Sequence, residues 1–275
     1  MISLPQLRAR LRAYYATFRI GLNQNIAYRA RINVWTITHA LGLLIYALVW
    51  GTVLGDQELA GFTQQDVLTY YLGFFVLERV VRAHGWTTMS TDIREGRLSF
   101  WLSRPIHYVR YTAMRETGAK VVLGLLVLPV LVLFLGVLVV SGTFTPPSGA
   151  LDVALLLAFL IPGSALAFSI SHIMGMVAFW LEDNKGPVSA FWALSVIFSG
   201  AAAPVALLPD SLQAIAAYLP FQYIAAFPME LYLGRVSGGQ IAIGFAVAVS
   251  WAVILHLVSR LLWNRGIRRY SAVGG

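Results

Sequence analysis

The sequence predicts an all-α membrane protein. It comprises six transmembrane helices, an N-terminal interfacial amphipathic helix, a short cytoplasmic helix between spans two and three, and re-entrant helices between spans five and six. Three observations carry this expectation. Of 275 residues, 58% are hydrophobic and only 12% charged, with a mean hydropathy of +0.72, more apolar surface than a water-soluble domain can hide. The apolar residues fall into windows of about 20, the length that crosses the hydrocarbon of a bilayer. And 19 of the 20 lysines and arginines fall on one side of those windows, as the positive-inside rule demands of cytoplasmic loops.

Residues 1–33 come first. Leu4, Leu7, Leu11, Tyr14, Phe18 and Leu22 recur at three- and four-residue steps with Arg8, Arg12 and Arg19 between them, and Ser3 offers an N-cap. This is the pattern of an amphipathic helix lying on the inner leaflet, as an anchor or as a contact for a cytoplasmic partner. An arginine-rich start before an apolar run can be a signal peptide. Here the run is about 20 residues long and no small-residue cleavage site follows, so it is expected to stay as the first span.

The spans are expected at 34–55, 66–89, 117–140, 151–181, 187–208 and 241–263, the fourth long enough to tilt or to break near Pro162-Gly163. Between the last two, Pro209, Pro220 and Pro228 interrupt an apolar stretch too broken to cross. Residues 209–228 therefore read as a re-entrant segment on the outer side, a packed surface loop being the alternative. With no internal repeat and no low-complexity tract, residues 1–275 read as a single transmembrane domain.

Orientation follows from charge. With both termini inside, the inner side receives every basic residue except Arg235, and the outer loops hold Asp56, Glu58, Asp66, Asp152, Asp210 and Glu230. The net charge of +8 therefore reports topology and anionic lipid rather than nucleic acid. The absence of cysteine excludes disulfides, thiolate metal sites and cysteine nucleophiles.

The largest inner loop contains S-T-D-I-R-E-G-R-L-S-F-W-L-S-R-P, Ser90 to Pro105, where charge and aromatic residues crowd together. A helix over Asp66–Met89, about 35 Å long at 1.5 Å per residue, would deliver the chain to the inner side. Thr91-Asp92 would then cap a short helix over 92–103, with Leu98, Trp101 and Leu102 on one side and an end before Pro105. Such a helix either rests at the membrane surface or pegs into a groove of a soluble subunit, with aromatic anchors rimmed by charge.

Here the chain resembles a known family. E-G-R-L-S-F-W-L-S-R-P-I, Glu95 to Ile106, is similar to the coupling-helix signature of ABC-type-two exporter permeases, the transmembrane subunits of ABC transporters. N-K-G-P at Asn184 to Pro187, L-P-F-Q-Y at Leu219 to Tyr223, and R-G-I-R-R-Y-S-A-V-G-G at Arg265 to Gly275 resemble its drug-resistance-exporter branch. The resemblance implies a permease that moves an amphiphilic or hydrophobic substrate out across a bacterial cytoplasmic membrane, paired with a second permease, identical or related. It implies two separate ATPase subunits per complex, which hold ATP and Mg and are met through the coupling helix. Asp92, Arg94, Glu95, Gly96, Leu98, Trp101, Leu102, Arg104 and Pro105 are the expected coupling residues. Charge would orient, Gly96 would allow a close turn, and Trp101 would anchor. In agreement, nothing in the sequence matches G-x-x-x-x-G-K-[ST], so any ATP-driven engine is another polypeptide.

Polar and aromatic residues within the spans complete the expectations. Glu78 and Arg82, four apart, share a helix face and can pair inside the membrane; Arg79 points elsewhere, toward a cavity or lipid phosphate. Tyr70, Tyr71, Phe74 and Phe75 of span two, with Phe191, Trp192, Ser195, Phe198 and Ser199 of span five, form either an aromatic substrate pathway or plain helix packing. His39, His172 and His256 stand singly in their helices, and no metal is assigned. Two other classes stay open: an ion-coupled secondary transporter using Glu78 as carrier, and a membrane scaffold without transport.

Overall fold

The computed structural model describes residues 4–55, 57–104 and 106–270. Ser3, Asp56, Pro105 and the last five residues of the C-terminal motif lie outside them. The described residues form helices joined by turns, with one isolated bridge between Leu59 and Phe62.

Two helices, α1 (Leu4–Ala27) and α2 (Arg29–Leu54), meet at Tyr28. α1 lies along α6 (Tyr108–Val140), where the backbones nearly touch. A Cβ on Gly21 would collide with the Arg115 carbonyl and one on Gly118 with the Phe18 carbonyl, so only glycine permits this crossing. Ile32–Leu54, Tyr108–Val140, Ala150–Phe179 and Gly238–Arg269 are long and apolar enough to cross a membrane. The first belongs to α2 and the second is α6. The third is α7 (Ala150–Met176) with the turn that follows it, and the fourth is α11 (Gly238–Arg269). α6 begins nine residues before the expected span, and α7 runs unbroken through Pro162-Gly163.

The second and fifth expected spans differ most from expectation. α3 (Gln64–Val81) starts at a capping box in which Thr63 and Asp66 exchange bonds of 3.2 and 3.1 Å, two orphan donors satisfied at once. It stops at Arg82, whose ψ of 140° is extended, and a separate helix, α4 (Gly85–Arg94), follows. The continuous helix over 66–89 is thus two helices. Neighbours stabilise the joint: Lys120 Nζ donates to the Val81 carbonyl at 2.8 Å, and Trp86 N–H donates to Ser171 Oγ at 3.1 Å. The Glu116 carboxyl abuts Gly85, leaving no room for a Cβ. The Lys120 ammonium at the end of α3 suits that helix's dipole.

The fifth span, expected over 187–208, is a 14-residue helix, α8 (Lys185–Phe198). Gly200 then turns the chain with φ 84°. The carbonyls freed there are taken by neutral donors: Tyr70 Oη donates to Gly200 O at 3.0 Å, and Trp50 Nε1 and Tyr71 Oη donate to Ala202 O at 2.8 and 3.1 Å. A 3₁₀ turn at Val205–Leu207 leads into α9 (Asp210–Tyr218), and another at Gln222–Ile224 into α10 (Ala226–Tyr232). Pro228 sits in the first turn of α10, where its missing N–H costs nothing.

The connections gather at two ends. At one, Thr145 bonds to Asp66 and Thr69, and Arg235 to the carbonyls of Ala60 and Gly61. At the other, α5 (Leu98–Leu102) meets the end of α11, and Arg94 meets the Glu182 carbonyl. A buried core joins α2, α3 and α10, a second joins α7, α10 and α11, and a third lies under α5.

Candidate functional site

The segment from Ser90 to Arg104 folds as an arm rather than as one helix over 92–103. Asp92 and Arg94 belong to the last turn of α4, and Glu95–Arg97 form a turn that Gly96, at φ 75°, makes possible. α5 supplies only five residues. Thr91-Asp92 is interior to α4 and caps nothing.

The arm has an inner and an outer side. Leu98 is fully buried among Met89, Ile93, Tyr108, Met176, Phe179 and Trp263. Trp101 turns inward and stacks on Tyr111 with ring centroids 3.9 Å apart. Tyr108 is parallel to Trp263 at 5.6 Å and donates from its hydroxyl to buried Asp92 Oδ2 at 2.7 Å. The Tyr270 hydroxyl, at the end of α11, accepts from Ser99 N–H at 3.2 Å and lies 3.1 Å from Ser99 Oγ. α5 is therefore braced at once on α4, α6, α7 and α11. Facing out are Phe100, 54% exposed, and Leu102, 43% exposed, with the Arg104 guanidinium 4.0 Å over the Phe100 ring. Arg97 joins Glu95 at 2.8 Å and Asp92 at 3.4 Å. Beside them an open groove of about 560 Å³ is lined by Thr87, Thr91, Arg97, Phe100, Trp101 and Arg115.

This division differs from the expected sides of the short helix. Leu102 does not share a side with Leu98 and Trp101, because a helix ending after five residues presents its last residue to open space. Trp101 is an internal brace, and Phe100, not singled out by the sequence, is the exposed aromatic ring. His107, between α5 and α6, is held below the usual histidine range by burial, with Arg110 and Arg260 adding to the effect.

The aromatic and serine residues expected to line a pathway divide similarly. Phe74, Trp192, Ser195 and Ser199 come together with Glu78 and Arg82 around a cavity of about 40 Å³ closed by Ala167, Ile170 and Phe221. That volume holds a few waters at most. Tyr70 is fully buried and Tyr71 nearly so, both bonded to the chain after α8. Phe75 packs toward His39, Phe191 meets Phe221, and Phe198 lies against the α2–α3 core. These belong to packing in this conformation.

Charge is concentrated at the cavity's floor. Glu78 forms an ion pair with Arg82, one turn on, and its other carboxyl oxygen meets His39 Nε2 of α2. Arg82 also lies 5.3 Å over the Trp192 ring. Arg79 points to α2, not to a cavity or to lipid: it is buried and Nη2 donates to Thr36 Oγ1 at 2.6 Å. His39 stands alone within its helix but not in space, a contact that sequence spacing across 39 residues cannot announce. Among the described residues no cluster of His, Asp and Glu has the makings of a metal site.

No curated protein matches the chain. Residues 32–274 match the family model described as ABC-2 family transporter protein, and that match takes in the arm, the cavity and, from residue 32 on, every helix after α1. The chain is an ABC-2 type permease, a multi-pass membrane protein that belongs to the ABC-2 transporter family.

Proposed function

We propose that the chain is the membrane-spanning subunit of an ATP-driven exporter that moves an amphiphilic or hydrophobic substrate outward across a bacterial cytoplasmic membrane. Membership of the family implies association with ABC ATPase partners. In this reading there are two of them, carrying ATP and Mg, and a second permease, identical or related, completes the complex. The end bearing α5 faces the cytoplasm together with both termini. α3 with α4, and α8 with the turns after it, serve as spans two and five beside the four long helices.

The observation that carries this reading is the two-sidedness of α5. Phe100, Leu102 and Arg104 present an apolar surface rimmed by charge, of the kind that seats in a partner's pocket. Leu98 and Trp101 tie the same five residues to the ends of four helices, so a push on α5 is delivered to the bundle. ATP-driven closure of the partners would rock the arm and open the cavity between α3 and α8, whose Phe74 and Trp192 suit an apolar tail and whose Arg82 suits a polar head.

The ion-coupled reading draws no support from Glu78, since Arg82 and His39 engage its two oxygens. The test separates the two sides of α5. Phe100→Ala with Leu102→Ser should reduce copurification of the ATPase at least tenfold. Trp101→Ala should leave it bound but lower transport per ATP hydrolysed at least fivefold. Retention of the ATPase by the first variant, or full transport by the second, would overturn this assignment. Arrest of transport by a proton ionophore, with ATP depletion without effect, would favour ion coupling instead.

A further inference from the structure

An asparagine placed just before a helix ordinarily caps it. Asn184 occupies that place ahead of α8 and makes no side-chain cap bond. Its neighbour Asp183 serves the helix start instead, Oδ1 accepting from Lys185 N–H at 3.0 Å. Asn184 is fully buried. Its Nδ2 donates to Ser90 Oγ of α4 at 2.8 Å and approaches the Met174 carbonyl of α7 at 3.4 Å, while Ser90 Oγ donates on to the Gly175 carbonyl at 3.3 Å. Asn184 Oδ1 has no partner. Burying an amide half-satisfied, away from the helix it could cap, is a costly arrangement, and it joins three elements through one side chain.

The position of the joint gives it meaning. α4 is continuous with α5 through the Gly96 turn, and Ser90 is fully buried where α4 and α7 meet; a Cβ on Gly175 would press on Met89 at 2.9 Å. α8, by contrast, is loosely held, with only Val188 and Ser195 buried along its length. A helix with so few contacts of its own follows the point to which its first turn is tied. Farther along it, Trp192, Ser195 and Ser199 line the cavity. Arg94 reinforces the connection, Nη1 donating to the Glu182 carbonyl at 3.3 Å.

We propose that Asn184 is a positioning residue that ties α4 to the start of α8, so that displacement of the α4–α5 arm moves the cavity wall. The tie stands on the contacts just described; what its movement accomplishes rests on the permease reading above.

The chain's lack of cysteine suits the test. Nitroxide labels at Thr87→Cys and Ala190→Cys, both exposed, report the α4–α8 distance in the full chain reconstituted in phospholipid nanodiscs. A pair at Thr117→Cys and Val253→Cys reports the rest of the bundle. Asn184→Ala should at least double the width of the α4–α8 distance distribution and leave the other pair unchanged. Ser90→Ala, which keeps Asn184 but removes its acceptor together with the Ser90 bond to the Gly175 carbonyl, should do the same and decides the matter if Asn184→Ala disturbs both pairs. Unchanged width in both variants overturns the proposal. With the ATPase bound, Asn184→Ala should keep hydrolysis within twofold while transport falls at least fivefold; parallel loss of both would reduce Asn184 to a structural role and overturn it. Should the unmodified protein support no hydrolysis with any ATPase, the permease reading fails while the label distances still decide the tie.

Discussion

Two helices that the sequence extends further stop short in the structure, and neighbours complete them by different chemistry. After α3, at Arg82–His84, the Lys120 ammonium does so on the Val81 carbonyl, and Ser171 Oγ takes the Trp86 N–H that follows. After α8, at Gly200–Ala203, neutral hydroxyl and indole donors do so, from Tyr70, Tyr71 and Trp50. The first break lies at the end crowded with arginine and the second at the end with few charges. A charge-assisted bond satisfies the carbonyl strongly but must offset the desolvation of an ion, whereas a neutral donor satisfies it without that cost. Each break is held by a few named bonds.

The comparison can be broken most forcefully at Gly200. Gly200→Ala forces a side chain into φ 84° and drives its Cβ into the Tyr70 hydroxyl and Ala226. Left-handed strain and overpacking together predict a loss of roughly 2–5 kcal/mol, read as thermal unfolding in detergent. Lys120→Met should cost about 2 kcal/mol by stranding a charge-assisted bond. That loss should shrink in high salt, since Lys120 is only half-buried. Tyr70→Phe removes one neutral donor and should cost about 1 kcal/mol, with no salt dependence; a salt effect there as large as at Lys120 would erase the distinction.

The smallest effect sharpens the contrast through acidity. Glu230 on α10, near the second break, is pushed up to about 7 by burial, with Arg235 opposing, and its Oε1 is unpartnered. A carboxyl raised in the folded state binds a proton that the unfolded chain has released, so stability should fall as pH rises from about 4.5 through 7. Glu230→Gln should flatten that slope in an unfolding series from pH 5 to 8. An unchanged slope would exclude Glu230 as its source.

How far the sequence carried these conclusions depends on the range of the contacts involved. Apolar windows are local signals, and the four long helices follow them. The Glu78–Arg82 pair, one helical turn apart, was equally legible. Arg82–His84 carries no proline, and its break is packed by Lys120, Ser171 and Glu116, residues more than 30 positions away; nothing nearby foretells it. Gly200 was visible as a residue but not as a stop, because the carbonyls it exposes are satisfied by side chains of α2 and α3. In the arm, the charge and aromatic crowding marked a segment that folds as two short helices around the Gly96 turn. Its inner and outer sides were assigned wrongly at Leu102, since five residues are too few for periodicity to fix a face.

The two faces of α5 have a consequence for how such a subunit can change. The residues that would greet a partner, Phe100, Leu102 and Arg104, are not those that fasten the helix, Leu98 and Trp101. Recognition can therefore be rewritten by exchanging three outward side chains while the fastening stays intact, and a chimaera carrying another permease's three should accept that permease's motor without refolding its own interior.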